Sequence, residues 1–435
     1  MNKKIAREGS KLEVLVLVGG FIALMMLGVP VAVSMGLSSL SYILFFSNLP
    51  ATIAISKMTS GLDSFSFIAA PLFILTALLM NESGVTEKLF NFARALVGHF
   101  RGGLGHVNIL ASMIFAGMSA DPLSDTAGLG LIEIKSMKEA GYPADFSAAV
   151  TAASARLGPI IPPSMIMVIY ASLMEVSVGK MLLAGLIPGL LLGIAFILTV
   201  FVIAHVKKHP KEGRASLKII MKTFIDALLP MMTPVIIVGG ILFGIFTPTE
   251  AAAVACLYAF ILGFFIYKGL TIRTLISVLI ETIRITGIIA FIVSAAFIFG
   301  YLVTITQLPQ TVVSAITNTF SEKWVVLLLM NVFFLLAGCI LTPLPIMISC
   351  IAVLFPLIDA YNIDPIHLGV FMILNLEIGG LTPPMAISMY IVSTVAETPF
   401  IKVLRAVTPF YIPLLAVLGL ITYYPQIVLF LPNLF

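Results

Sequence analysis

Residues 157–170 read LGPIIPPSMIMVIY, and residues 378–391 repeat this pattern as IGGLTPPMAISMYI. Gly158 corresponds to Gly379 and Pro162-Pro163 to Pro383-Pro384, always 221 positions apart. Other small residues and prolines recur at the same separation: Ala116-Gly117 with Ala337-Gly338, Pro122 with Pro343, and Pro188 with Pro409. One long element is therefore used twice, with helix-breaking residues at matching places. Paired breaks of this kind indicate the binding site of a secondary transporter.

The composition predicts an all-α polytopic membrane protein. Hydrophobic residues make up 60% of the chain and charged residues 10%, against about 25% charged in soluble domains. Residues 14–56, 285–321, 324–358 and 406–435 carry no Asp, Glu, Lys or Arg. A bilayer-spanning helix needs about 20 apolar residues, so these runs are long enough to cross. The formal charge of +4 is too small and too scattered to indicate nucleic-acid binding.

The chain divides into two repeats around a basic linker. Residues 1–204 form the first repeat and residues 223–435 the second, joined by HVKKHPKEGRASLKIIMK at 205–222. Each repeat contains two short apolar helices meeting at a Gly/Pro/Ser tip, which predicts a re-entrant hairpin (102–138 and 324–358). A helix broken in mid-membrane follows (143–173 and 364–395). Such hairpins are tolerated only where they are buried in protein.

Charge asymmetry predicts that the two repeats have inverted topology. The first hairpin is flanked by basic residues, namely Arg94, Arg101, Lys135 and Lys138. The second has Lys323 alone, beside Glu322, Asp359 and Asp364. Because Lys/Arg-rich short loops stay in the cytoplasm, the first hairpin is expected to enter from the cytoplasm and the second from outside.

The breaks themselves supply binding chemistry. A broken helix leaves unpaired carbonyls at one stub, which suit a hard cation, and unpaired N–H groups at the other, which suit an anion. The predicted cation ligands, mostly backbone carbonyls, lie at the tips and breaks: Ser119, Asp121, Ser124, Asp125, Thr126, Gly158, Pro159, Gly338, Thr342, Gly379, Gly380 and Thr382. The predicted anion site uses the opposite stubs and one arginine: Pro162, Pro163, Ser164, Pro383, Pro384, Ser388 and Arg156.

Each of these residues also has a purely structural interpretation. A single Gly-Pro break can be a kinked packing helix, and a membrane Ser or Thr often bonds to its own helical turn. Arg156 and Glu377 each lie two residues before a break, 221 positions apart. Arg156 therefore either binds a substrate carboxylate, as bidentate guanidinium groups do, or forms an ion pair with an acid such as Glu377. Glu377 can equally anchor its helix stub through hydrogen bonds.

The motifs of an enzyme are absent. The sequence contains no Walker A loop, no GxSxG elbow and no His pair at metal-ligand spacing, so no enzymatic activity is expected. Cys256, Cys339 and Cys350 lie in apolar runs and are interpreted as small core residues.

Long stretches of the chain resemble the large membrane subunit of tripartite ATP-independent periplasmic (TRAP) transporters, the DctM-like permeases. The resemblance covers nearly the whole chain, and GPIIPPS with NLEIGGLTPP is its most specific part. The matching stretches are SADPLSDTAGLGLIEIKSMKEAGYPADFSAAVTAASARLGPIIPPSMIMVIY, AGLIPGLLLG, AGCILTPLPIMISCIAVLFPL and HLGVFMILNLEIGGLTPPMAISMYI. The first tip departs from the family's usual Ser-Gly-Ser-Ala-x-Ala-Asp, because Asp121 and Pro122 replace small residues there.

The resemblance implies a sodium-driven elevator carrier in the bacterial inner membrane. It implies sodium ions between each hairpin tip and the neighbouring broken helix. It also implies two partners, a small four-helix membrane subunit (DctQ-like) and a periplasmic substrate-binding protein (DctP-like). The substrate class would be organic acid anions such as C4-dicarboxylates or sialic acids. A stand-alone sodium/dicarboxylate symporter without partners, and a channel whose breaks form a filter, are the alternatives.

Overall fold

The computed structural model describes residues 15–47, 49–63, 68–119 and 122–435, and within them it contains helices and connecting turns but no strands. A π-helical turn, Leu15–Gly19, opens the described part of the chain. The helices of the first half are α1 (Gly20–Met26), α2 (Val31–Phe46), α3 (Thr52–Ser60), α4 (Ala69–Glu82), α5 (Val85–Val97), α6 (Gly103–Ser119), α7 (Pro122–Ala127), α8 (Leu129–Glu139), α9 (Ala144–Ser154), α10 (Met165–Leu173) and α11 (Val178–Val206).

The second half has a closely related order of elements. Its helices are α12 (Leu217–Leu242), α13 (Pro248–Ile261), α14 (Ile272–Ile305), α15 (Leu308–Thr319), α16 (Lys323–Ile340), α17 (Pro343–Tyr361), α18 (Pro365–Leu381), α19 (Ile387–Ala396), α20 (Phe400–Tyr423) and α21 (Pro425–Leu429). A π-helical turn, Leu262–Ile266, extends α13. Helices α6, α9, α10 and α11 correspond to α16, α18, α19 and α20, as the sequence repeat requires.

Six helices of the described chain are long and apolar enough to cross a membrane, or up to eight if each bent pair is one span. The six spans are Val178–Val206, Leu217–Leu242, Pro248–Ile266, Ile272–Ile305, Lys323–Ile340 and Phe400–Tyr423. Apolar residues on these helices stay exposed, Leu198 and Val202 of α11 among them, which is expected of a surface that faces lipid rather than water. The fold is therefore the polytopic helical membrane protein that the composition predicts.

Polar side chains at the ends define where several helices begin. The Thr247 hydroxyl accepts from the backbone N–H of Glu250 at 3.3 Å, and the Glu250 carboxylate accepts from the Thr247 N–H at 2.7 Å, which forms a capping box. Asp364 caps α18 by accepting from the N–H groups of Ile366 and His367. These caps satisfy N–H groups that a first helical turn leaves free.

The two broken helices form the centre of the molecule. Every residue of α9 from Phe146 to Ser154 is buried, and α18 is buried from His367 to Gly379. Helix α9 packs against α19 and α20 of the other half, while α18 packs closely against α16. The first break is buried from Gly158 to Ser164, where irregular backbone is tolerated in a membrane, whereas the second break is half-buried and Pro384 is exposed.

Three elements differ from the sequence-based bounds. The predicted linker overlaps two helices, because α11 continues to Val206 and α12 begins at Leu217. The second arm of the first hairpin is interrupted at Gly128, whose φ of −95° and ψ of −85° are not helical. Helix α14 begins at Ile272, well before the charge-free run at 285–321, and it carries Glu281 and Arg284 as an exposed pair at 3.6 Å on its surface. Charged residues on an exposed face do not end a helix.

Candidate functional site

Both hairpin tips and both helix breaks line a single cavity of about 260 Å³. Several lining residues are related by the sequence repeat: Pro122 with Pro343, Arg156 with Glu377, Pro159 with Gly380, and Ile166 with Ile387. The remaining lining residues are Met165, Leu341, Thr342, Leu344, Met385 and Ser388. The tertiary structure thus brings equivalent points of the two halves to one place.

Arg156 is the central polar residue of this cavity. It lies on the 3-10 turn Ala155–Leu157, directly before the break, and is 4% exposed. Its Nη1 donates to Glu377 Oε2 at 2.9 Å, and its Nη2 donates to Ser388 Oγ. Arg156 and Glu377 form a buried ion pair between the two halves, which is the structural alternative that the sequence left open.

The ion pair makes the polar wall of the cavity electrically balanced. Glu377 is 2% exposed, so an unpaired charge at either position would be costly. The Nε of Arg156 is buried without a hydrogen-bond partner among the described residues. A Cβ at Gly380 would lie 3.5 Å from Arg156 Nη1, so glycine leaves the guanidinium room beside the second break. Arg156 retains a donor beyond those that hold Glu377 and Ser388.

The second hairpin tip lies directly against the second break. A Cβ on Gly379 would meet Gly338 Cα at 2.6 Å, so the two backbones touch. The backbone N–H of Met385 donates to the Cys339 carbonyl at 3.1 Å and closes the same contact. Helices α16 and α18 both end here, and the C-terminal end of a helix carries negative partial charge. Two such ends at one point favour a cation, which fits the predicted sodium site.

The two threonines of the second site have different roles. Thr382 Oγ1 donates to the Ile378 carbonyl at 2.9 Å, which is the local back-bonding expected of a membrane hydroxyl. Thr342 precedes α17 without capping it through its side chain, and it lines the cavity. Of the two residues, Thr342 is the one that lines the cavity where a ligand could bind.

The first break is stabilised by its own side chains. Ser164 Oγ donates to the Pro159 carbonyl at 2.6 Å and accepts from the Met167 N–H at 3.4 Å, which caps α10. The carbonyl of Pro159 keeps a second lone pair for a cation. The four predicted prolines of the anion site form two cis peptide bonds, Pro162-Pro163 and Pro383-Pro384. In the part of the chain that the structure describes, these prolines and Ser164 border the breaks, while Ser388 lines the cavity itself.

The first hairpin tip is described in part. Asp125 and Thr126 of α7 are buried, with Thr126 Oγ1 donating to the Pro122 carbonyl at 2.9 Å. Asp121 lies outside the described residues, as do the side chains of Ser119 and Ser124. A Cβ on Gly117 would lie 3.7 Å from the Pro162 carbonyl, so the arm of this hairpin packs on the first break.

The apolar wall of the cavity was not predicted from the sequence. Met165, Ile166, Leu341, Leu344, Met385 and Ile387 follow the breaks and tips directly. Tyr411 also supports the site, because its hydroxyl donates to the Leu381 carbonyl at the end of α18 at 2.9 Å. The equivalence of Ile166 and Ile387 in the repeat was a sequence signal that could have indicated this wall.

Comparison with known proteins defines the class of this protein. The family model of the DctM component of tripartite ATP-independent periplasmic transporters matches residues 18–427. The chain therefore belongs to the DctM family, the large permease component of these transporters, and the family prediction made from the sequence is confirmed.

Two relatives match this chain over more than nine-tenths of its length. The sialic acid TRAP transporter large permease protein SiaM of Vibrio cholerae is 42% identical over 416 residues, covering 96% of this chain and 97% of its own. The C4-dicarboxylate TRAP transporter large permease protein DctM of Pseudomonas aeruginosa is 38% identical over 400 residues, covering 92% and 94%.

A solved structure supports the architecture. The YdaH transporter of Alcanivorax borkumensis superimposes with a TM-score of 0.64, covering 86% of this chain and 88% of that one. The sequence identity is 14%, so this likeness concerns the fold alone.

Proposed function

We propose that this protein is the permease through which a sodium gradient drives uptake of an organic acid anion. The observation that carries the proposal is the cavity at which both tips and both breaks meet, with Arg156 on its wall. A guanidinium is the side chain best suited to a carboxylate. The apolar remainder of the wall suits the carbon skeleton of an organic acid. C4-dicarboxylates, sialic acids or similar carboxylates are the proposed substrates, by analogy with the two relatives.

Sodium is proposed to bind where each tip meets its break. The support is strongest in the second half, where the C-terminal ends of α16 and α18 converge at Gly338 and Gly379. A sodium ion there would offset the partial charges of two helix ends. At the first tip, the described groups that could bind sodium are the Asp125 carboxylate and the Pro159 carbonyl.

An elevator mechanism requires that hairpins and broken helices move as one unit. Lys138 of the first hairpin donates to the Ala396 carbonyl and pairs with Glu397, both at 3.1 Å, at the C-terminal end of the second broken helix. Together with the Arg156–Glu377 pair in the cavity wall, this contact joins the two halves. These links support movement of the central helices as a single body between the two sides of the membrane.

The working transporter is proposed to have three components in the bacterial inner membrane. A small four-helix subunit would bind beside this chain, and a periplasmic binding protein would deliver the anion. Family membership supports both partners. Because the sequence has no nucleotide loop, the energy would come from the sodium gradient rather than from ATP.

Reconstitution tests the proposal. Proteoliposomes containing this chain and its small subunit, supplied with substrate-loaded binding protein, should accumulate substrate only under an inward sodium gradient. Equal uptake with potassium on both sides would contradict sodium coupling. Uptake of free substrate without the binding protein would instead favour the stand-alone symporter, and non-saturable flux would favour the channel.

A further inference from the structure

Glu133 is a carboxyl group in the interior that the proposed transport site does not use. It lies on α8, the second arm of the first hairpin, and is 1% exposed. Among the described residues, no Lys, Arg or His lies within ion-pair distance of it. A buried acid normally binds a cation, pairs with a base or keeps its proton.

The contacts of Glu133 form a closed ring of hydrogen bonds. Its carboxyl oxygens lie 3.5 Å from Ser112 Oγ and 3.3 Å from Thr151 Oγ1. Ser112 Oγ is 3.1 Å from Ser154 Oγ, which donates to Asn108 Oδ1 at 2.7 Å. Asn108 Nδ2 completes the ring by donating to Thr151 Oγ1 at 2.6 Å. The ring joins three helices, α6, α8 and α9, and its members are all buried.

The number of hydrogen atoms decides the protonation state of this ring. Each hydroxyl can donate once. Ser154 donates to Asn108, and Thr151 donates to Glu133. If Ser112 donates to Ser154, the contact between Ser112 and Glu133 needs a hydrogen from the carboxyl group. With a protonated Glu133 all five members donate once and accept once around the ring. With an ionised Glu133 the three hydroxyls and the Asn108 amide supply four hydrogens for five contacts, and the negative charge favours donation from Ser112 to Glu133 over donation from Ser112 to Ser154.

We propose that Glu133 binds a proton and that this ring is an internal proton site of the permease. The proton bound to Glu133 is donated to Ser112 Oγ and thereby closes the ring. Closing it ties the hairpin arms α6 and α8 to the broken helix α9. Loss of the proton leaves Glu133 charged in a buried region and opens the Ser112–Ser154 bond. The attachment of the first hairpin to the first broken helix therefore weakens as the pH rises.

The charged groups around α8 are accounted for. Helices α5, α6, α7, α9 and α19 pack against it. Asp125 of α7 acts on Glu133 electrostatically, so ionising both would place two like charges in one buried region. The other groups have their own surroundings: Arg94 pairs with Glu212, Lys138 pairs with Glu397, His106 is buried on α6, Asp145 accepts from Phe146 N–H, Lys88 is half-buried, and Glu87, Lys135 and Glu139 are exposed.

Infrared spectroscopy of the purified full chain in lipid tests the proton directly. At neutral pH the spectrum should contain the carbonyl band of a protonated carboxylic acid that disappears in Glu133→Gln. Gln can donate to Ser112 and accept from Thr151, so this variant should fold. The exposed Glu139→Gln is the matched control and should leave the band in place. Thr151→Val should shift the band to higher frequency, because the Glu133 carbonyl loses its donor.

Thermal unfolding against pH gives a second measurement. A group that keeps its proton in the folded protein but loses it on unfolding makes the folded state less stable as pH rises. The wild-type midpoint temperature of unfolding should therefore decrease as the pH is raised from neutral to alkaline. This decrease should be smaller in Glu133→Gln and unchanged in Glu139→Gln. A protonated band that Glu133→Gln leaves intact, or one unshifted by Thr151→Val, would overturn the proposal. So would loss of the Glu133 band when sodium replaces choline, since Glu133 would then be binding the metal ion as a carboxylate.

Discussion

Arg156 and Glu377 occupy equivalent positions in the two halves of the chain, 221 residues apart, and they form an ion pair of 2.9 Å with each other. A repeat normally places equivalent residues in equivalent but separate surroundings. Here the two breaks approach the same cavity, so equivalent residues become neighbours. The same contact both joins the two halves and sets the charge of the candidate substrate site.

Replacing Arg156 with lysine should raise the substrate half-saturation while leaving sodium dependence nearly intact. Lysine keeps the charge but loses the planar fork that reaches both Glu377 and Ser388. Loss of one charge-assisted bond predicts a rise of about tenfold, equivalent to about 1.4 kcal/mol. Uptake rates at varied substrate concentration and at varied sodium concentration measure the substrate half-saturation and the sodium dependence. Arg284→Lys, at an exposed pair, is the control.

Neutralising one partner of the ion pair should destabilise the protein more than neutralising both. Arg156→Gln or Glu377→Gln alone removes one charge of the ion pair and leaves the opposite charge buried without this pair, at a cost of about 3–5 kcal/mol. The double variant removes both charges and should recover most of this stability. Thermal unfolding and the yield of assembled protein measure the cycle. If the double variant also bound substrate with normal affinity, Arg156 would have no role in carboxylate binding.

Replacing Asp125 with asparagine should weaken the sodium dependence of uptake more than it weakens folding. Asp125 is 2% exposed on α7, between the arms of the first hairpin, where a carboxylate favours a nearby cation. A rise of the sodium half-saturation of about tenfold is expected, corresponding to about 1.4 kcal/mol. The exposed Asp359→Asn serves as the control. An unchanged sodium half-saturation in the Asp125 variant would remove this residue from the site.

Replacing Gly379 with alanine should separate the second tip from its break. The added Cβ would lie 2.6 Å from Gly338 Cα, and neither backbone can move without opening the contact. Overpacking of this kind costs about 1–3 kcal/mol. Sodium should then protect the variant less against thermal unfolding than it protects the wild type. Gly419→Ala is the control, since a Cβ there meets no atom within 4 Å and should stabilise α20 by about 0.5–1 kcal/mol. Equal protection by sodium in the Gly379 variant would argue against a site at this contact.

The family and the helical class followed from local features of the sequence. Apolar runs and Gly-Pro breaks depend on residues close together in the chain, and the repeat at a separation of 221 residues is found by comparing two short stretches of sequence. The start of α14 did not follow from the sequence, because the charged residues Glu281 and Arg284 are expected to end a membrane-spanning segment. In the structure both lie on an exposed face of the helix. The role of Thr382 was also open, because the sequence does not distinguish a threonine that bonds to its own helical turn from one that binds an ion. The structure shows the bond to the Ile378 carbonyl.

By itself, the sequence determined that this chain is a helical membrane permease of the DctM family with two matching broken helices. Periodicity, composition and motif spacing are properties of the chain that need no folding to be read. Only the tertiary structure decided that Arg156 pairs with Glu377 and that Glu133 closes a ring with side chains from α6 and α9. These partners lie between 18 and 221 residues apart in the chain. Which polar groups meet in a low-dielectric interior is fixed by helix packing, and local sequence patterns carry no information about it.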